Sequence, residues 1–181
     1  MIMVQDTWAA IWTVGHSNRS LQVFLDLLAA HGVEQVADVR RFPGSRRLPH
    51  FGGQALEQAL AARGIGYRHW PALGGRRGRP APDSPNDGWR VAQFAAYADY
   101  MQTAAFRQGL EQLTDAATAY RTAIMCAEAV PWRCHRRLVA DALLVAGWQV
   151  YDIMGEQPAR AHALTPFARC RADGSLVYPA D

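Results

Sequence analysis

The chain has 181 residues, half of them hydrophobic, which is enough to bury one good core and short for two independent ones. No apolar run approaches the ~18 residues needed to cross a bilayer. The N-terminal residues lack the basic, apolar and small-residue segments of a secretory signal, so a soluble cytoplasmic protein with no membrane partner is expected.

Cys126, Cys134 and Cys170 make an odd number with no CxxC pair, which argues against a disulfide framework and a paired zinc knuckle. Reduced thiols are expected. The net charge of +3 and pI near 9.0 are mild. The arginines are clustered, however: Arg40, Arg41, Arg46 and Arg47 in one segment, Arg76, Arg77 and Arg79 in another, then Arg133, Arg136 and Arg137. Clustering of this kind points to an anionic partner, a nucleotide or a nucleic acid, although arginine-rich loops also serve solubility alone.

In chain order, the apolar run 11–14 reads as a buried strand that ends in Gly15-His16-Ser17-Asn18. Leu21, Phe24, Leu25, Leu28 and Ala29 recur at helical spacing, with Ser20 placed to cap the helix and Gly32 to end it. Val33, Val36 and Val39 mark a second strand running into Asp38-Val39-Arg40 and a turn-rich loop. A helix over 54–63, ended by Gly64, and a strand over 65–70 follow. Residues 74–90, full of Gly, Pro and Arg, are expected to form a mobile loop. Two helices near 91–101 and 105–118 precede the strand 123–126, apolar on both faces as a central parallel strand should be. A helix over about 134–146, Gly147 and a strand over 149–154 complete the pattern, and the tail 156–181 shows no clear period. The alternation predicts a single α/β domain over 1–181, its core at about 11–155. It should have three layers, with a mainly parallel central sheet of about five strands and helices on both faces.

In such a sheet, right-handed crossovers bring every strand C-terminus to one rim, where ligands bind. The residues just past the proposed strands are His16 and Ser17, then Asp38 and Arg40, then His69 and Trp70, then Cys126 and Glu128. A helix beginning near Cys134 would point its free N–H groups at the same rim, with Arg133 or Arg136 adding full charge. That field would lower the pKa of Cys134, making it the better nucleophile, while Cys126 reads as a packed thiol. Glu128 is either the ion-pair partner of Arg136 or a general base. His135 reads equally as acid/base, ligand or partly buried structural histidine. Cys126, Cys134 and His135, with His16 as a further candidate, offer soft metal ligands, yet their spacing is not that of structural zinc, so a metal or haem site is the weaker reading and no cofactor is assigned. Six residues separate Cys126 from Arg133, one too many for a phosphatase-type cysteine loop. No P-loop or GxGxxG fingerprint is present.

Val14-Gly15-His16-Ser17, Asp38-Val39-Arg40 with Pro43 and Ser45-Arg46, Leu73-Gly74-Gly75, and Cys126-Ala127-Glu128 followed by Cys134-His135-Arg136 together resemble the family called domain of unknown function 488. The resemblance spans about residues 11–155. It implies a compact α/β domain whose motifs form one shared site, and it implies no particular activity. One departure stands out: relatives are expected to carry histidine where this chain has Asp152.

Three functions compete. The leading one is an enzyme acting on a phosphate-bearing substrate, a nucleotide or nucleic-acid strand, bound by His16, Ser17, Asp38, Arg40, Arg46 and Arg136. Glu128, Cys134 and His135 would be its catalytic groups, with Trp70, Trp132 or Phe42 available to stack a base. The second is a non-enzymatic nucleic-acid-binding module built on the arginine loops 40–47 and 76–79. The third is a thiol redox or metal-binding protein centred on Cys134.

Overall fold

A computed structural model describes residues 9–181. Six strands form one sheet: β1 (Ala10–Gly15), β2 (Gln35–Asp38), β3 (Gly66–His69), β4 (Thr122–Cys126), β5 (Gln149–Ile153) and β6 (Arg160–Ala161). Their order is β3-β2-β4-β1-β5-β6, with every pair parallel except β5 and β6. Five helices connect them: α1 (Leu21–Ala30), α2 (Gly53–Ala61), α3 (Ala92–Tyr100), α4 (Ala104–Ala119) and α5 (Arg136–Val145). The expected single three-layer α/β domain is present, with one more strand than the sequence pattern gives. Among the described residues, no helix is long and apolar enough to cross a membrane.

The order of connections decides which face each helix covers. The chain moves from β1 to β2 to β3 toward one edge, then returns through α3 and α4 to β4, and crosses to β5 through α5. Right-handed crossovers therefore put α1 and α2 on one face and α3, α4 and α5 on the other. Two cores follow. Val14, Val36, Ala123 and Met125 of the sheet meet Phe24, Leu28, Leu56 and Leu60 on the first face. Ile11, Ala37, Ile124 and Val150 meet Tyr97, Phe106, Leu113, Leu138 and Leu143 on the second. Burial of each large apolar side chain is worth roughly 1.5–3 kcal/mol, so the sandwich of β4 between both cores makes it the least exposable strand.

Local signals place the ends. Ser20 accepts a hydrogen bond from the Val23 N–H and caps α1, and Gly32 beyond that helix takes a left-handed φ of 65°. Residues 74–91 hold no helix or strand. Arg77 stacks on Tyr100 at 3.7 Å, and Asn86, wholly buried, donates to Asp99 and accepts from the Tyr178 N–H.

The tail that shows no period in the sequence adds β6 and a hairpin of β7 (Arg169–Cys170) with β8 (Leu176–Val177). Each is two residues long, too short to carry a periodic pattern. An internal ion cluster ties the tail down. His162 reaches Asp152 at 2.8 Å and Asp141 at 3.1 Å, and the two acids also accept from Thr13, Tyr178 and the Thr165 N–H. Asp152, the residue that departs from the expected histidine, thus faces a histidine supplied by the tail. Burial alone would lower the pKa of His162, but its hydrogen bonds to Asp141 and Asp152 outweigh that and raise it to about 9.

Because the folded value lies above the unfolded one, this stabilisation is complete below pH 6.5 and is lost as pH rises through about 9. Urea denaturation from pH 6 to 10 should show wild type losing on the order of 2 kcal/mol more than His162→Gln across that window. Parallel curves for the two proteins would refute the assignment.

Candidate functional site

β1 leads to β2 on one side and β4 leads to β5 on the other, so the crevice between the C-terminal ends of adjacent β1 and β4 is the topological switch point. A cleft of about 430 Å³ opens there. Its floor is His16, Cys126, Cys134 and His135, and its walls include Glu128, Phe42, Phe94, Gln93, Arg41, Arg76 and Arg133.

The floor is fixed by backbone pairing that continues past the strands. The His16 N–H donates to the Cys126 carbonyl and the Ser17 N–H to that of Ala127, both at 3.0 Å. Ser17 adopts a φ of 52°, a costly value for a side-chain-bearing residue. Gly15 is required by contact: a Cβ there would lie 1.6 Å from the Glu128 carbonyl oxygen and 2.9 Å from an Arg136 nitrogen.

The sulfur atoms of Cys126 and Cys134 are 2.7 Å apart. Arg136 is wholly buried, and its guanidinium lies 3.3 Å from Cys126 Sγ. Its other partners are the carbonyls of Glu128 at 3.3 Å and Ala129 at 3.5 Å, while its Nε has none. Among the described residues no carboxylate forms a salt bridge with it, the Glu128 side chain included. Half-buried Arg19, held by the carbonyls of Gly15 and Met154, adds like charge nearby. A buried cation without an acid is costly, and the anion available to it is a thiolate.

The two thiols respond in opposite directions. Burial pushes Cys126 up, but the hydrogen bond from Cys134 and the charge of Arg136 outweigh it and hold its pKa below the usual thiol value. Burial, then the neighbouring Cys126, push Cys134 well above that value. The sequence reading assigns the lowered thiol to Cys134, and the geometry reverses it. The helix starts two residues later than expected: a single 3-10 turn, Pro131–Arg133, precedes it, Cys134 is extended, and α5 begins at Arg136. The Arg136 N–H does reach Cys134 Sγ at 3.4 Å, yet full desolvation and an adjoining anion dominate.

Both floor histidines are neutral. Burial lowers His16 and His135 to about 4 each. His16 Nδ1 bonds to the Ser17 carbonyl at 2.8 Å, its ring stacks on Phe51, and its Nε2 faces an Arg40 nitrogen at 3.4 Å. His135 Nε2 bonds to the Val39 carbonyl at 2.7 Å, which leaves Nδ1 as the acceptor, 3.5 Å from Cys134 Sγ. Gly75 admits that ring: a Cβ there would sit 2.8 Å from Nδ1.

Asp38 grips Arg40 through both oxygens at 2.9 and 2.6 Å and also accepts from Tyr67. Every lone pair facing the site is engaged, so Asp38 positions Arg40 and has no capacity for a ligand.

Of the residues singled out in the sequence, His16, Arg40, Cys126, Glu128, Cys134 and His135 line the cleft, and Asp38 and Arg136 stand behind its floor. Ser17 and Arg46 do not line it. His69 bonds to the Arg40 carbonyl outside it, and Trp70 is a core residue. Phe42, 66 % exposed, is the stacking candidate that faces the opening, whereas exposed Trp132 does not line it. Arg41, Arg76, Gln93 and Phe94 were not individually legible. Arg41 and Arg76 lay within arginine clusters, but their convergence needs a tertiary contact, the hydrogen bond from Arg41 to the Arg76 carbonyl. Among the described residues no group of three or more His, Cys, Asp or Glu side chains is arranged to hold a metal ion.

The fold is a mostly parallel α/β sheet in a single domain, and a thiol–guanidinium pair lies at its switch point. The family model described as Domain of unknown function DUF488 matches residues 20–143, and the chain belongs to that family. Comparisons with curated proteins and with solved structures return no match.

Proposed function

We propose that the cleft is the active site of an enzyme that binds a phosphate-bearing substrate and attacks it covalently through the Cys126 thiolate. The observation that carries this reading is Arg136, wholly buried without an acidic partner and 3.3 Å from Cys126 Sγ. Arg136 holds the thiolate, and Cys134, whose thiol is raised, keeps its proton and donates it toward Cys126. Arg41, Arg76 and Arg133 receive the anionic group from the walls. All nineteen Lys or Arg positions of the protein are arginine, the residue suited to forked phosphate contacts. Glu128, exposed at the mouth, is the acid/base for the leaving group. His16 and His135, both uncharged, offer acceptors at the floor.

The outer arginines Arg46, Arg47 and Arg79 are exposed beyond the cleft, with Phe42 and Trp132 also exposed. These features favour a nucleic-acid strand over a free nucleotide, and binding would then fall steeply with salt.

Alkylation of Cys126 by iodoacetamide, followed by peptide mapping, tests the proposal. Inorganic phosphate, nucleotides and a short single strand are added as protectants, and turnover of the same panel is compared for wild type and Glu128→Gln. At least one phosphate-bearing compound should slow alkylation about tenfold at saturation, and its conversion should fall about 10²- to 10⁴-fold in Glu128→Gln. Equal alkylation with and without every member of the panel would rule the reading out.

A further inference from the structure

The geometry points to a second activity at the same floor: Cys126 and Cys134 are an exchange pair for anionic thiols and disulfides, with Cys126 the attacking and Cys134 the resolving sulfur. The inference rests on the reading of Cys126 as a thiolate and adds a substrate class to it. Two thiols serving only as packing would need no shared hydrogen bond and no buried charge. Here both cysteines line the cleft, their sulfurs are 2.7 Å apart, and a further approach of about 0.7 Å reaches the disulfide bond length of about 2.0 Å.

The chemistry balances without any further reactant. The Cys126 thiolate attacks one sulfur of a disulfide RSSR, forming a mixed disulfide and releasing RS⁻. The Cys134 thiol gives its proton to that departing thiolate and attacks Cys126 Sγ, forming the Cys126–Cys134 disulfide and releasing the second RS⁻. The pair loses two electrons and RSSR gains them. The reverse sequence returns the pair to dithiol at the expense of two thiols RSH.

Arg136 sets the balance between the two directions. Its buried charge is compensated in the dithiol form by the Cys126 thiolate and loses that partner when the disulfide forms. Stabilising the reduced form makes the disulfide readily reducible, the property of exchanging disulfides as opposed to structural ones. The cleft selects the reagent: Arg41, Arg76 and Arg133 line it with Glu128 as the sole carboxylate among its lining residues, so R should carry negative charge.

The test uses the whole chain with exposed Cys170 replaced by serine, so that label reports on the pair alone. Oxidised glutathione serves as anionic disulfide and cystamine as cationic control. Wild-type pair should pass to an intramolecular Cys126–Cys134 disulfide, read by non-reducing peptide mapping, whereas Cys134→Ser should stop at one glutathione adduct on Cys126. At low salt oxidised glutathione should react at least about tenfold faster than cystamine, with the preference shrinking as salt rises. Mapping of the unsubstituted pair, and trapping in Cys134→Ala, keep the test decisive where the serine variant folds poorly. A wild-type pair that stops at the mixed disulfide, an adduct on Cys134, or equal rates for the two reagents would each overturn the inference. Cys126 that alkylates as a thiolate yet forms no disulfide would sink this inference alone, while Cys126 that does neither would remove the proposed function with it.

Discussion

Cys126→Ala should destabilise the protein by about 3–5 kcal/mol, far more than the loss of one small side chain, because it leaves Arg136 buried without its anion. Trimming a thiol to a methyl removes one atom from a core that is otherwise intact, a cost on the order of 1 kcal/mol by transfer alone. The excess is electrostatic. Arg136→Met removes the charge and keeps the volume, and the carbonyls of Glu128 and Ala129 that it served belong to exposed and half-buried residues open to water. It should therefore cost little stability, while Cys126 reverts to an ordinary buried thiol. Its alkylation at neutral pH should slow, since a higher pKa leaves less of it as thiolate. The combination Cys126→Ala with Arg136→Met should recover most of what Cys126→Ala loses. Urea denaturation of the four proteins closes this cycle, and additive losses would show that Cys126 and Arg136 do not form a pair.

Gly15→Ala is expected to have an effect of similar or larger size through backbone sterics. The added methyl would lie 1.6 Å from the Glu128 carbonyl oxygen, so the 127–129 loop must retreat from the end of β1. Retreat breaks the hydrogen bonds that His16 and Ser17 make to the Cys126 and Ala127 carbonyls and pulls Glu128 away from Arg136. Several buried partners are lost together, and a cost above about 4 kcal/mol follows, enough to bring a domain of ordinary stability near unfolding. Gly44→Ala is the matched control, since a Cβ there meets nothing within 4 Å, and it should change stability by less than about 0.5 kcal/mol. Thermal melting of both variants decides the point, and a Gly15→Ala protein melting with wild type would mean that the loop is not seated on β1.

The fold was legible because its signals are local and repeat. Ser20 and Gly32 bracket α1, Gly64 and Gly147 take left-handed φ values of 71° and 90° after α2 and α5, and β4 reads as central from apolar residues alone. The rim was legible for the same reason, since polar residues directly following apolar strands must gather at one edge of a parallel sheet. What the chain could not disclose are relations between distant segments. Spacing places Cys126 and Cys134 near each other, but which sulfur is the anion depends on where a guanidinium eight residues past Glu128 settles. The sequence pattern puts Arg136 among the ligand-binding residues, yet it is buried in the core, and it bonds to the Glu128 backbone and not to its carboxylate. Arg46 carried the same sequence signal as Arg41, and only the contact between the 41 and 76 loops separates the one that faces the cleft from the one that does not. His162 lay in a tail without periodicity, so its junction with Asp141 and Asp152 had no local signature.

The central claim is that one buried thiol of the pair, Cys126, is held below the ordinary thiol range by the hydrogen bond from Cys134 and the charge of Arg136. Thiolate ultraviolet absorbance, followed from pH 4 to 11 with Cys170 replaced by serine, measures this directly in wild type and Arg136→Met. One thiolate should titrate below the ordinary thiol range in wild type, the second well above it, and the early step should move to higher pH in Arg136→Met. A wild-type pair with no thiol titrating below the ordinary range, or an early step unchanged by Arg136→Met, would contradict it.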